Sequence, residues 1–329
     1  MLKLLNYLRL SENISMFLSL VTNTILLTLI MMNTQIRLGS YKHLMILCCL
    51  VQLLYSVTNV TANMNAHSTN VSYVLFRKNS GFIDRKFAPF SLIHFCGMYT
   101  TQIAVLSIHF LYRFIHLSHP KLVKIFDGCY IYFWILTAFL FGAFIVCLKY
   151  LYLGENEFLT NQLREDFENI YGLAMDEVIY NGPIFYKCEN GATDCVKPIE
   201  VWITIGILMI GMMICYTSMM YFGIVSFIRI NSQNLVLSAK LREQQRQLLK
   251  ALLIQATIPS LFIYIPSEIL FITPVFGVGL GENANISMIF LAIYPSIEQL
   301  GVIYVIKDFR TNFKRLVTRS KTRTSTIAT

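Results

Sequence analysis

Seven long apolar segments punctuate this chain, separated by shorter stretches in which the charges collect. They fall at about 13–32, 41–62, 89–112, 129–151, 199–228, 250–273 and 286–306. Each is close to the roughly 20 residues that an α-helix needs to cross a hydrocarbon core about 30 Å thick. The expected architecture is all-α, a seven-transmembrane helix bundle. Residues 1–12 are then a short N-terminal segment, 13–306 the bundle and 307–329 a basic tail with a disordered Ser/Thr-rich end.

The polar residues inside the spans carry the next inference. The second span holds Gln52 and Asn59, and the third His94, Gln102 and His109. The sixth holds Gln255, Pro259, Pro266 and Glu268, and the seventh Pro295 and Glu298. Polar groups at membrane depth are expensive and face a bundle interior or a wet cavity. Prolines are tolerable there because neighbouring helices and water satisfy the freed carbonyls. The pattern describes a bundle with an interior rather than independent anchors.

Composition agrees. Of 329 residues 55% are hydrophobic and 14% charged, against about 25% charged in a soluble domain. The net charge of +9 does not point to nucleic acid, because the bases fall mostly in short loops and the tail. With the N-terminus outside, the inner segments and their membrane edges hold 17 Lys and Arg and the outer ones 10. The positive-inside rule therefore orients the chain N-out and C-in in the lipid bilayer. The first helix is expected to act as an uncleaved insertion signal. From Ser238, SAKLREQQRQLLKALLIQ reads as a helix that runs without a breaker into the sixth span.

Enzyme motifs such as GxSxG, HExxH and the Walker loop are absent, and so is CxxC spacing. No catalytic residue, metal or cofactor is expected. Glu298 has no base near it in sequence and needs a partner, water or a proton. It is either a functional group or a structural hydrogen-bonding one. Arg113 could gate the helix ends or meet a partner protein, or simply snorkel. Cys188 and Cys195 in the long polar loop could form a disulfide, with Cys96 as an alternative partner for one of them. Of the sequons at Asn13, Asn59, Asn70 and Asn285, only Asn70 lies clearly away from a membrane edge, and it is the expected glycosylation site.

LGSYKHLMI from Leu38, IHFLYRF from Ile108 and the run from Leu249 through Arg310 together resemble the nematode seven-transmembrane chemoreceptors of the Str class (serpentine receptor class r, with the sibling Srj group). The resemblance implies an olfactory-type G-protein-coupled receptor on the cilium of a chemosensory neuron, with a heterotrimeric G protein as partner. In that family Tyr112-Arg113 takes the place of the Asp-Arg-Tyr switch of rhodopsin-like receptors. Tyr294-Pro295 and Glu298 match the seventh-helix pattern, whereas Gln299-Leu300-Gly301 stands where the family usually has Pro-Leu-Pro.

A small odorant-like ligand is then expected among His94, Tyr99, Gln102, Trp202, Tyr264, Glu268 and Tyr294. The signalling face is expected at Tyr112, Arg113, Lys240, Arg242, Arg246, Lys250, Pro295 and Glu298. The competing class is a ligand-gated channel or transporter, against which the chain shows no paired half-sequence repeat.

Overall fold

The computed structural model of the chain describes residues 2–32, 41–79, 87–187, 195–232 and 238–315. Among them, seven helices are long and apolar enough to cross a membrane. They are α1 (Leu2–Met32), α2 (Tyr41–Ala62), α3 (Ala88–Ser118), α4 (Tyr130–Tyr152), α6 (Ile199–Asn231), the continuous α7–α8 rod (Ala239–Pro259 and Ile265–Val275) and α9 (Asn285–Val305). A short α5 (Glu157–Asp166) lies between α4 and α6.

The helices outrun their apolar cores. α1 is already helical at Leu2, so most of the segment expected as a separate N-terminus is its first turns. α3 continues six residues past 112, to Ser118. Hydropathy ends where polar residues begin, but a helix ends only at a breaker or cap, and LKLLNYLRLSE contains neither glycine nor proline. α7 starts at Ala239, where the Ser238 hydroxyl accepts the Leu241 N–H at 3.3 Å. Residues 307–315 are also helical; the end of the tail expected to be disordered, residues 316–329, lies outside the described residues.

α3 is the axis of the bundle. It packs on α2, α4 and α6, and 72% of its most apolar stretch is buried, against 17% for α6. Its crossing with α4 is close because glycine meets glycine. A Cβ on Gly97 would run into Val146 and the Gly142 carbonyl, and one on Gly142 into Thr101 and the Gly97 carbonyl. Small residues let membrane helices approach at backbone distance. α1 closes the ring between α2 and α9.

The rod α7–α8 is interrupted by one π-helical turn, Ser260–Tyr264, between Pro259 and Pro266. Proline has no N–H to donate and its ring clashes with the carbonyl four residues back. The widened turn absorbs both defects without a break, and such turns recur at functional sites.

One end of the bundle carries a cap that the apolar pattern does not announce. Strands β1 (Asn65–Ser68), β2 (Tyr73–Lys78) and β3 (Val178–Asn181) form an antiparallel sheet, with Ala66 opposite Leu75 and Phe76 opposite Tyr180. β2 is buried on both faces. Tyr73 and Leu75 join the bundle core, whereas Val74 and Phe76 join a second small core with Leu159, Leu163 and Phe167. Asn156 caps α5 by accepting the Leu159 N–H at 3.0 Å. The segment ends at Gly172, whose left-handed φ of 66° suits a residue without a Cβ. Ser68 bridges to Gly281, and Asn70 Oδ1 accepts the Gly279 N–H at 2.9 Å, tying the cap to the α8–α9 loop.

Candidate functional site

Beneath the sheet lies a cavity of about 110 Å³. Its walls come from β2 (Tyr73, Leu75), α3 (Phe95, Tyr99), α4 (Ile145, Lys149), α6 (Leu208, Met212), α8 (Glu268, Phe271) and α9 (Met288, Leu291). The lining is mostly apolar with a few polar groups, the usual chemistry of a small-molecule site. A larger groove of about 720 Å³ runs between α6 and the α7–α8 rod and shares Met209, Met212 and Glu268 with the cavity. Its rim residues Ile210, Met213 and Ile265 are exposed on the outside of the bundle.

The structure brings some of the expected ligand residues together and separates others. Tyr99 and Glu268 line the cavity, and Tyr264 joins Glu268 in the groove. The other four do not reach the cavity wall. His94 stacks on Phe90 with centroids 5.6 Å apart. Gln102 donates to Cys48 Sγ at 3.7 Å. The Trp202 indole N–H donates to the Phe185 carbonyl at 3.0 Å. Tyr294 packs edge-on against Tyr55 at 5.0 Å. Side-chain type and depth chose these positions, but helix rotation decides which face meets the cavity, and α9 presents Met288 and Leu291 instead. Lys149 also lines the cavity, although its place at the edge of an apolar span gives only its charge and not its burial.

Midway along the bundle Gln52, Gln255, Glu298 and Gln299 converge from α2, α7 and α9. Gln299 donates to Gln52 Oε1, and Gln255 donates to Cys48 Sγ at 3.8 Å. Glu298 is fully buried. Its polar neighbours are the amides of Gln52 and Gln255, and neither carboxylate oxygen closes a full hydrogen bond. Pro295, one turn earlier, is buried within a continuous α9. Nearby, His109 donates Nε2–H to the Leu44 carbonyl at 2.9 Å, a packed role. Among the described residues no metal-binding group of His, Cys, Asp or Glu occurs.

At the end away from the sheet, Arg113 is 2% exposed. Its Nη1 donates to Gln245 Oε1 of α7 at 2.6 Å. Its guanidinium lies 4.4 Å over the Tyr41 ring of α2, a desolvated cation–π contact. Tyr112 stacks on the same Tyr41 at 5.5 Å. The pair Tyr112-Arg113 therefore clasps the first residue of α2, which sits inside the LGSYKHLMI stretch. Arg246 donates to Asn231 Oδ1 at 2.9 Å, joining α7 to α6. Gln247 Oε1 accepts the Lys307 N–H at 3.1 Å, joining α7 to the 307–315 helix. Arg242 is half-buried and Lys250 exposed; the Lys240 side chain lies outside the described residues.

In the cap, Asn70 is exposed, while Asn285 is buried and engages Ala66, Glu282 and Tyr171. Cys195 is disulfide-bonded. Cys96 is free, and Cys188 lies outside the described residues. Burial pushes the His67 imidazole below its ordinary value, against the pull of Asp166 and Glu282. His67 Nε2 meets Asp166 Oδ2 at 3.1 Å and its Nδ1 meets the Tyr171 hydroxyl at 3.2 Å.

The seven-helix ring, its cavity at one end and a buried arginine bound to α7 and α2 at the other define a membrane protein of G-protein-coupled-receptor architecture. Residues 8–314 match the family described as serpentine type 7TM GPCR chemoreceptor Str, and the chain belongs to that family. Among similar curated proteins is serpentine receptor class r-10 of Caenorhabditis elegans, 26% identical, with 83% of this chain and 80% of that one covered. G-protein coupled receptor str-33 of the same species is 25% identical over 89% of this chain and 85% of its own. Serpentine receptor class J-38, also of that species, is 24% identical over 95% of each. The family is one of receptors rather than enzymes.

Proposed function

We propose that this receptor binds a small external chemical in the cavity beneath the sheet and signals to a heterotrimeric G protein at the Arg113 end. The observation that carries the reading is the position of α3. It lines the cavity with Phe95 and Tyr99 at one end and holds Arg113 against Gln245 at the other. A ligand shifts such a bundle only by binding one arrangement better than another. In this reading the α7–α8 rod is the moving element: Tyr264 closes the π turn between Pro259 and Pro266, Glu268 lies one turn beyond it, and Gln245, Arg246 and Lys250 lie on the same rod.

The charge distribution favours the sheet end outside and the tail inside. Asn70, exposed and using only its carbonyl oxygen in the contact with Gly279, is the glycan acceptor in this reading. The receptor works in the plasma membrane of the sensory cilium. The basic residues on α7 also meet anionic lipid headgroups.

Expression with a promiscuous G protein and a small-odorant panel tests this, with Arg113→Ala as the comparison. Ligand-evoked second-messenger signals that Arg113→Ala abolishes are expected. A ligand-evoked current in cells lacking the G protein would instead make the chain a channel. Tags read on intact cells test the orientation, and a cytoplasmic N-terminus would contradict it.

A further inference from the structure

The cavity beneath the sheet holds an unresolved charge. Lys149, in the last turn of α4, is 4% exposed and lines the cavity. Its backbone carbonyl accepts Asn181 Nδ2 at 3.2 Å, which fixes the helix end against β3. Its ammonium forms neither of the ion pairs found among the described residues, and nothing hydrogen-bonds to it there. The Tyr73 hydroxyl, elsewhere on the wall, is buried without a hydrogen-bond partner, and its carboxylate neighbour is Glu268. An ammonium is donor-only, and holding a cation in a mostly apolar cavity without a counter-charge is costly. Lys149 wants an acceptor carrying negative charge.

Glu268 is the one carboxylate among the lining residues, and it lies on α8, where the cavity meets the groove. It is only half-buried and makes no ion pair with Lys149. A ligand with a second negative group would meet repulsion there. An amine held by Glu268 would leave Lys149 facing a like charge.

We infer that the cavity recognises a small monocarboxylate with an apolar body, its oxygens seated on Lys149 Nζ. The assignment rests on the cavity being the ligand site of the receptor proposed above. A dry cavity of about 150 Å³ takes up benzene, so about 110 Å³ holds a carboxylate with a short chain. A longer chain continues past Met209 and Met212 into the groove.

The test uses the full chain in lipid nanodiscs at a pH where carboxylates are ionised. Butanoate and hexanoate are compared with butan-1-ol, butan-1-amine, methyl butanoate and the dicarboxylate glutarate. Binding is read by saturation-transfer NMR and by the ligand-induced rise in Tm. The two monocarboxylates are expected to bind and the others to bind at least about tenfold more weakly, since charge-assisted hydrogen bonds are the strong ones. Lys149→Met should weaken butanoate about 10- to 100-fold, and Lys149→Arg should retain most of it. If Lys149→Met does not fold, Lys149→Gln and the acid-over-ester ranking on the wild type decide the matter.

Three results would overturn the assignment: no binding of either monocarboxylate, equal binding of the amine, or wild-type affinity in folded Lys149→Met. The receptor reading fails separately. A Lys149-dependent carboxylate that evokes no G-protein response keeps the site and removes the signalling role. An evoked response to other chemical classes, with no carboxylate binding, does the reverse.

Discussion

Arg113 of α3 donates to Gln245 of α7 across 2.6 Å, and no carboxylate among the described residues neutralises it. A hydrogen bond to a charged group contributes about 1.5–3 kcal/mol. That is enough to hold two helices together in one state and to be lost in another. Gln245→Leu should therefore raise ligand-independent signalling about tenfold or more, read by a second-messenger reporter at matched surface expression. Unchanged basal signalling would mean that the contact is not a latch.

The Gly97–Gly142 crossing makes a prediction about stability. Gly142→Leu forces α3 and α4 apart, and overpacking of this kind costs about 1–3 kcal/mol. The detergent-solubilised protein should lose several degrees of Tm and much of its surface expression. A leucine at Gly206, where nothing lies near the position of an added Cβ, should leave both within error.

The cap should loosen in acid. Unfolded histidine titrates near pH 6.5, and burial holds the folded His67 below that. The unfolded cap then binds the proton more readily, so stability is full above about pH 6.5 and is lost as pH falls towards the folded value. The groups facing His67 are Asp166, Tyr171 and Glu282. Protection factors in β1 and α5, corrected for the intrinsic pH dependence of amide exchange, should fall between pH 7 and pH 5, and His67→Gln should flatten that dependence.

Glu298 supplies a contrast between shape and charge. Its neighbours are amides rather than cations, so Glu298→Gln keeps the volume and removes a group that must either bury a charge or hold a proton there. Its Tm should equal or exceed that of the wild type. Glu298→Lys places an uncompensated cation in the same closed space and should abolish surface expression.

The seven crossings were legible because a bilayer imposes one length and one polarity on every span. The polar extension of α7 was legible too, since Ser238 and the unbroken run after it mark a capped helix. The cap was not. YVLFRK reads as six residues of an outer loop, and only pairing with Val178–Asn181, about a hundred residues away, makes it a strand buried on both faces. The site was half legible for a related reason. Tyr99 and Glu268 have the expected depth and the expected rotation, whereas Gln102 and Tyr294 have the depth but turn towards Cys48 and Tyr55. Lys149 carried a signal in its place inside the last turn of an apolar helix, and only the neighbouring sheet turns that into burial.

The sheet joins segments that leave the membrane at different times. β1 and β2 follow the second span, β3 follows the fourth, and Asn70 meets Gly279 at a separation of 209 residues. Closing contacts of such range is slow, and they cannot form until their last member exists. The roof of the cavity is therefore finished only after the final helix pair has been inserted. A chain arrested earlier in biogenesis presents an open, apolar well, which gives the cell's folding surveillance a physical mark by which to tell unfinished receptor from finished.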